Sequence, residues 1–318
     1  MSRPIARPPT PIQRSFRLDD IDLAYFEWNA ERRGREPTLL LAHATGFHAR
    51  CWDRMIQHLG DRHVLAVDMR GHGRSGRSEI RDWLIFGEDL ARLVVGLELE
   101  DLVGVGHSMG GHALVDAAAA VPGAFRGLVL LDPVIGSPES YEKSDEQVDE
   151  MRRMTGGGPH PTARRRNRFA SPQAMFERFE SRRPYSLFDR EVLRDYCEYG
   201  LLPAPDGEGF VLACPPELEA SIYMTSRTPA KIFESVRAVD VPVLVVRAME
   251  PAAERDPMDF SASPTWPELA RRFPEAVDLQ IPELTHFLPM QAPARMAALV
   301  LEFEAERLAR PARVRREI

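Results

Sequence analysis

The sequence predicts an α/β protein built on a mostly parallel, doubly wound sheet, and three observations carry that prediction. Short apolar runs that lack a period of two alternate with amphipathic stretches along most of the chain. Several of these runs end in glycine-rich loops, as in "DMRGHGRSG" and "LVGVGHSMGG". Strands that are apolar on both faces need cover on both sides, and helical crossovers between them imply parallel pairing.

The elements follow in order. Residues 1–15, with four prolines and three arginines, read as a flexible lead-in. "SFRLDDIDLAYFEWN" alternates apolar and polar residues about an Asp-Asp turn and reads as an antiparallel strand pair. "PTLLLAHATG" is a buried strand ending in a loop. In "ARCWDRMIQHL" Trp52, Met55, Ile56 and Leu59 recur at helical spacing, and "HVLAVDMRGHGRSG" is the next strand. The alternation continues with the helix "DWLIFGEDLARLVVGLEL", the strand "LVGVGHS", the helix "MGGHALVDAAAAV" and the strand "FRGLVLLDPV".

The pattern breaks at about residue 136. Residues 137–236 are rich in charge, proline and aromatics, and carry helical stretches such as "PQAMFERFESR" and "REVLRDYCEYGLL" without a strong buried strand. It resumes with the strand "VPVLVVRAM", the helix "TWPELARRF", the strand "AVDLQIPEL" and the helix "APARMAALVLEFEAERLAR". The expected organisation is therefore a core of residues 16–136 and 237–318, with 137–236 inserted between strands six and seven as a helical cap over the strand ends.

Composition narrows the function classes. A formal net charge of -7 over 318 residues argues against a general nucleic-acid surface, and the basic runs "RRRNR" (164–168) and "RVRREI" read as solvated. No run of about 18 apolar residues is present to span a bilayer, and the first residues lack a secretory apolar stretch, so the chain reads as soluble and cytoplasmic. Cys51, Cys197 and Cys214 are odd in number and widely separated, which predicts free thiols. With no dinucleotide fingerprint, P-loop or His-carboxylate cluster, neither cofactor nor metal is expected.

The chemistry concentrates at the strand ends. "GHSMGG" sets Ser108 between Gly106 and Gly110, after a predicted strand and before a predicted helix, the context in which a serine is exposed on a tight turn as a nucleophile. A serine hydroxyl needs a base, and His286 in "PELTHFLPM" follows the last predicted strand on a loop at the same sheet edge. "LLLAHATGF" brings Thr45 to the end of another strand, where its amide could join that of Met109 in holding an oxyanion. His72 belongs to a glycine-rich loop whose shape explains it sufficiently.

"AHATGFHARCW", "DMRGHGRS", "GHSMGG", "LLDPV" and "LTHFLPM", in that order, resemble the α/β-hydrolase family of the capped kind, which includes esterases, lactonases, carbon-carbon bond hydrolases and epoxide hydrolases. The resemblance spans about residues 20–310. It implies a triad acid after the strand that follows the cap, but "VLVVRAMEPAAERDPMDF" departs there, with Ala248 in the usual glycine place and Pro251 in that of the acid. Three carboxylates stay open: Asp132 in "LLDPV", a place from which some members of the fold supply the acid; Glu250, one residue early; and Asp256, if "MEPAA" holds an insertion.

A serine here also separates the chain from dehalogenases and epoxide hydrolases, which resemble one another in using an aspartate. The expected function is a cofactor-free serine hydrolase cleaving a small or medium carboxylic ester or lactone through an acyl-enzyme. The alternatives are a carbon-carbon bond hydrolase or perhydrolase and, in another class, a ligand-binding receptor that keeps the fold. The expected partner is a small apolar or aromatic acyl substrate, with neither nucleic acid nor membrane, and a homodimer is compatible with the chain.

Overall fold

A computed structural model describes residues 10–142, 160–226, 231–251 and 261–308. Its main sheet has eight strands: β1 (Ile12–Arg17), β2 (Asp22–Trp28), β3 (Thr38–Ala42), β4 (Val64–Val67), β5 (Leu102–His107), β6 (Phe125–Leu131), β10 (Val243–Arg247) and β11 (Ala276–Gln280). They lie in the order β1-β2-β4-β3-β5-β6-β10-β11. β2 pairs antiparallel with β1 and β4, and the remaining pairs are parallel. β1 begins at Ile12, so residues 12–15, read from sequence as lead-in, are paired with β2; residues 1–9 lie outside the described residues.

Helices cover both faces because the central strands are apolar on both. In β3, Leu40 and Ala42 enter one core cluster while Leu39 and Leu41 enter the other, and all are buried. The first cluster is closed by α2 (Leu84–Gly96), α3 (Met109–Ala120) and α8 (Ile232–Ala238), and the second by α1 (Asp53–Ile56) and α10 (Pro293–Phe303). Each fully buried Leu or Val contributes roughly 1.5–3 kcal/mol, so the continuous apolar strands hold the fold as well as mark it. Cys51, Cys197 and Cys214 are buried free thiols.

Between β6 and β10 the described residues form α4 (Pro138–Glu142), α5 (Pro172–Phe179), α6 (Arg190–Tyr199), α7 (Pro216–Met224) and α8. They also form a small antiparallel sheet of β7 (Arg168–Phe169), β8 (Leu201–Pro203) and β9 (Phe210–Leu212), strands too short to print a period in the sequence. Phe176, Phe179, Phe188 and Tyr196 of this segment share a third core cluster with Phe47, which follows β3, and with Phe287. That shared cluster seats the segment against the loops at the carboxyl ends of the strands. "TWPELARRF" is not a full helix: only a 3-10 turn, Leu269–Arg272, forms, and the backbone is already extended at Phe273 (φ -79°, ψ 149°) on the way into β11 at Ala276. No helix among the described residues is long and apolar enough to cross a membrane.

Candidate active site

The strand order reverses at β3, which has β4 on one side and β5 on the other. In open parallel sheets such a switch point leaves a crevice at the carboxyl ends of the strands. The loops after β3 and β5 border it, carrying Thr45 and Ser108.

Ser108 links β5 directly to α3 with φ 57° and ψ -118°, a conformation that costs a non-glycine residue about 1–3 kcal/mol. The surroundings enforce it: the Ser108 amide donates to the Leu131 carbonyl (3.1 Å), and the Ser108 carbonyl accepts from the amides of Gly111, His112 and Val134 (3.1, 3.2 and 3.2 Å). The flanking glycines are required by space. A Cβ on Gly106 would lie 2.5 Å from the Gly110 carbonyl oxygen, and one on Gly110 would lie 2.1 Å from the Ala42 carbonyl oxygen.

His286 stands on the loop between β11 and α9 (Leu288–Gln291), held by its amide donating to the Ser261 carbonyl (2.7 Å). His107 fixes the same loop, since its buried Nε2 lies 2.7 Å from the His286 carbonyl oxygen and so carries the proton. The His286 Nε2 is 3.0 Å from Ser108 Oγ, and its Nδ1 is 2.7 Å from Asp132 Oδ2. Asp132, fully buried with φ 51° at the end of β6, also accepts at Oδ1 from Ser263 Oγ, from Thr265 Oγ1 (3.1 Å) and from the Ala248 amide (3.2 Å).

The three carboxylates of the sequence reading thus part company. Asp132 meets His286. Glu250 does not: it is exposed and accepts from Gln280 Nε2 at 3.1 Å. Asp256 lies outside the described residues. Ala248, which departs from the family pattern, contributes its amide to Asp132, and Ser263 and Thr265 are partners that carry no sequence signal.

The loop after β3 is equally organised. Met109 opens α3, so its N–H has no intrahelical acceptor. Thr45 Oγ1 donates to Met109 Sδ at 3.3 Å, tying the two loops together. The Gly46 amide donates to His72 Nε2 (3.0 Å), and His72 Nδ1 donates to the Arg70 carbonyl (2.9 Å). That arrangement needs a neutral imidazole, and burial pushes His72 down to about 4. His72, set aside in the sequence reading as part of a shaped loop, therefore braces the Thr45-Gly46 backbone. His43 does the same for the next loop, accepting from the Met69 amide at 2.9 Å.

Ser108 and His286 open on a cavity of about 690 Å³ whose wall includes Thr45, Phe47, Trp83, Tyr141 and Tyr223. One residue on that wall corrects the sequence reading. Within "RRRNR", read as solvated, Arg164, Arg166 and Arg168 are exposed, but Arg165 lines the cavity and is ion-paired to buried Glu219. Glu219 had a faint signal, because it shares a face of α7 with Tyr223 at i, i+4. Met151 and Met154, apolar residues that the sequence places in the cap, lie outside the described residues.

Comparison with known proteins identifies the family. Residues 39–299 match the Alpha/beta hydrolase family, so the chain belongs to that family. It is 33% identical over 126 residues to a monoacylglycerol lipase of Mycolicibacterium smegmatis, covering 37% of this chain and 44% of the lipase. It is 36% identical over 115 residues to lipase LipV of Mycobacterium tuberculosis, covering 36% of this chain and 42% of that one. The matches thus span less than half the length of these curated relatives. The crystal structure of E-2-(acetamidomethylene)succinate hydrolase superposes with a TM-score of 0.69 at 23% identity, covering 93% of this chain and 99% of that chain, a likeness of fold.

Proposed function

We propose that this protein is a serine hydrolase that cleaves a small or medium carboxylic ester or lactone through an acyl-enzyme, without a cofactor. The observation that carries the reading is the hydrogen-bonded chain from Asp132 Oδ2 to His286 Nδ1 (2.7 Å) and from His286 Nε2 to Ser108 Oγ (3.0 Å). In this mechanism Ser108 Oγ attacks the substrate carbonyl while His286 Nε2 takes its proton. Asp132 holds the imidazole in the tautomer with Nδ1 protonated and stabilises the cation that forms. The amides of Thr45 and Met109 stabilise the oxyanion. The imidazolium returns the proton to the leaving alkoxide, and water then repeats the sequence on the acyl-enzyme.

The lipase relatives support ester chemistry, and the aromatic wall supports an apolar or aromatic acyl group. Residues 137–236 act as the cap and contribute Tyr141, Tyr185, Tyr196 and Tyr223 to that wall, beside Phe47 and Trp83 of the core. The experiment is labelling with a fluorophosphonate, peptide mapping, and turnover of p-nitrophenyl esters and lactones. The label is expected on Ser108, and Ser108→Ala is expected to lose both labelling and turnover. Full esterase activity in Ser108→Ala defeats the reading.

A further inference from the structure

The cavity holds a polar cluster that the acyl-transfer steps do not use. Arg165 donates from Nη1 to Glu219 Oε2 and from Nη2 to the hydroxyls of Tyr185 (2.8 Å) and Tyr196 (3.2 Å). Arg165, Glu219, Tyr185 and Tyr196 all line the same cavity as Ser108 and His286. Glu219 is only 4% exposed, whereas 23% of the Arg165 side chain remains accessible. A buried ion pair is generally no more stabilising than apolar side chains of the same volume. Stability alone therefore does not explain such a pair on the wall of a substrate cavity.

Its charge balance limits what it can receive. A guanidinium carries more N–H groups than the three acceptors Arg165 meets among the described residues, and the Tyr185 and Tyr196 hydroxyls, which also hydrogen-bond each other, keep one proton between them to donate. Glu219 cancels the positive charge. It also presses on the loop after β3, where a Cβ at Gly46 would lie 2.5 Å from Glu219 Oε1. A substrate carboxylate approaching Arg165 would share its surroundings with the buried Glu219 carboxylate, and like charges at close range disfavour each other. An alkyl end would leave donors unpaired, which a site built on hydrogen bonds rejects. A carbonyl or ether oxygen meets neither obstacle.

We propose that Arg165, balanced by Glu219 and flanked by the hydroxyls of Tyr185 and Tyr196, is a specificity site for substrates bearing an uncharged oxygen acceptor remote from the scissile bond. It selects them over their alkyl and carboxylate counterparts. This rests on the reading of Ser108 as the nucleophile in the same cavity.

The test compares kcat/KM at neutral pH for p-nitrophenyl heptanoate, 6-oxoheptanoate and hydrogen adipate, and for butanoate esters whose alcohols carry the same three ends. In at least one series the ketone is expected to lead both others by about tenfold, the effect of one hydrogen bond to a charged donor. In Glu219→Gln the guanidinium is no longer balanced, and the carboxylate member should gain about tenfold on the ketone. In Arg165→Met the ketone's lead over the alkyl member should vanish. Each reading is a ratio of two esters on one preparation, so loss of folded protein cancels. An alkyl or carboxylate preference in both series, or an unchanged carboxylate-to-ketone ratio in Glu219→Gln, overturns the proposal. Absence of turnover together with absence of a fluorophosphonate label on Ser108 is instead the failure of the nucleophile assignment. Calorimetry with the amide analogues in which NH replaces the ester's bridging oxygen in each substrate ranks the three ends without catalysis, and equal affinities there also overturn the proposal.

Discussion

Asp132 is engaged on both oxygens, with His286 on one and Ser263, Thr265 and the Ala248 amide on the other. Asparagine at this position keeps the size and an acceptor for those donors but cannot present an acceptor to His286 Nδ1–H when its amide nitrogen turns that way. Asp132→Asn is therefore expected to fold and to lose roughly 10³–10⁴-fold in kcat on p-nitrophenyl esters, the scale of a wrong imidazole tautomer. Glu250→Gln should stay within about twofold, because its carboxylate faces Gln280 rather than His286. A larger loss in Glu250→Gln than in Asp132→Asn would reverse the assignment. The sequence left this acid open for a physical reason: a triad fixes what a carboxylate must do, and folding decides which of several brings its oxygen to the imidazole. Ser108 and His286 were legible because a strand-to-helix turn and a terminal-strand loop both leave local marks. Arg165 was not, since nothing in a run of arginines tells which one turns inward.

The element that carries the most constraint is the β5-α3 junction. Its two glycines are dictated by backbone atoms, which cannot swing away as a side chain can, so the junction was readable from the spacing of Gly106, Ser108 and Gly110 between a strand and a helix. Gly110→Ala would set a methyl 2.1 Å from the Ala42 carbonyl oxygen and force α3 away from β3. The expected result is a loss of about 1–3 kcal/mol or more in stability, with slower fluorophosphonate labelling as the Ser108 turn shifts. Thermal melts and labelling rates measure both; a variant that labels at the wild-type rate and melts unchanged would show that the junction is looser than its geometry. The small sheet of β7, β8 and β9 was illegible by contrast, because two- and three-residue strands hold too few side chains to establish a period.

Across the whole molecule, the strand sequence and the division of the core into two faces followed from apolar patterning, whereas the buried ionisable groups did not. Asp116 on α3 illustrates their cost. It is buried, and burial pushes its carboxyl up to about 6 from its ordinary value of 3.8. Between those values the folded chain binds more protons than the unfolded one, so stability falls as pH rises through the window. Asp116→Asn removes that penalty. Urea unfolding should find the variant more stable than the parent by on the order of 2 kcal/mol at pH 8, with the gain gone near pH 4. A gain that persists at pH 4 would assign the effect to packing. His112, on the same helix, works in the opposite direction: burial pushes it down to about 3, so its contribution to stability is present at neutral pH and lost on acidification below about 6.5.

The interior position of Cys51, Cys197 and Cys214 has a practical corollary for handling the protein. With all three thiols inside, and that of Cys197 pushed by burial up to about 12, maleimides find no ready target on the native fold. A cysteine substituted for Val95, whose side chain stands in solvent on α2, would then be a sole attachment point for a dye or a solid support, free of competing conjugation.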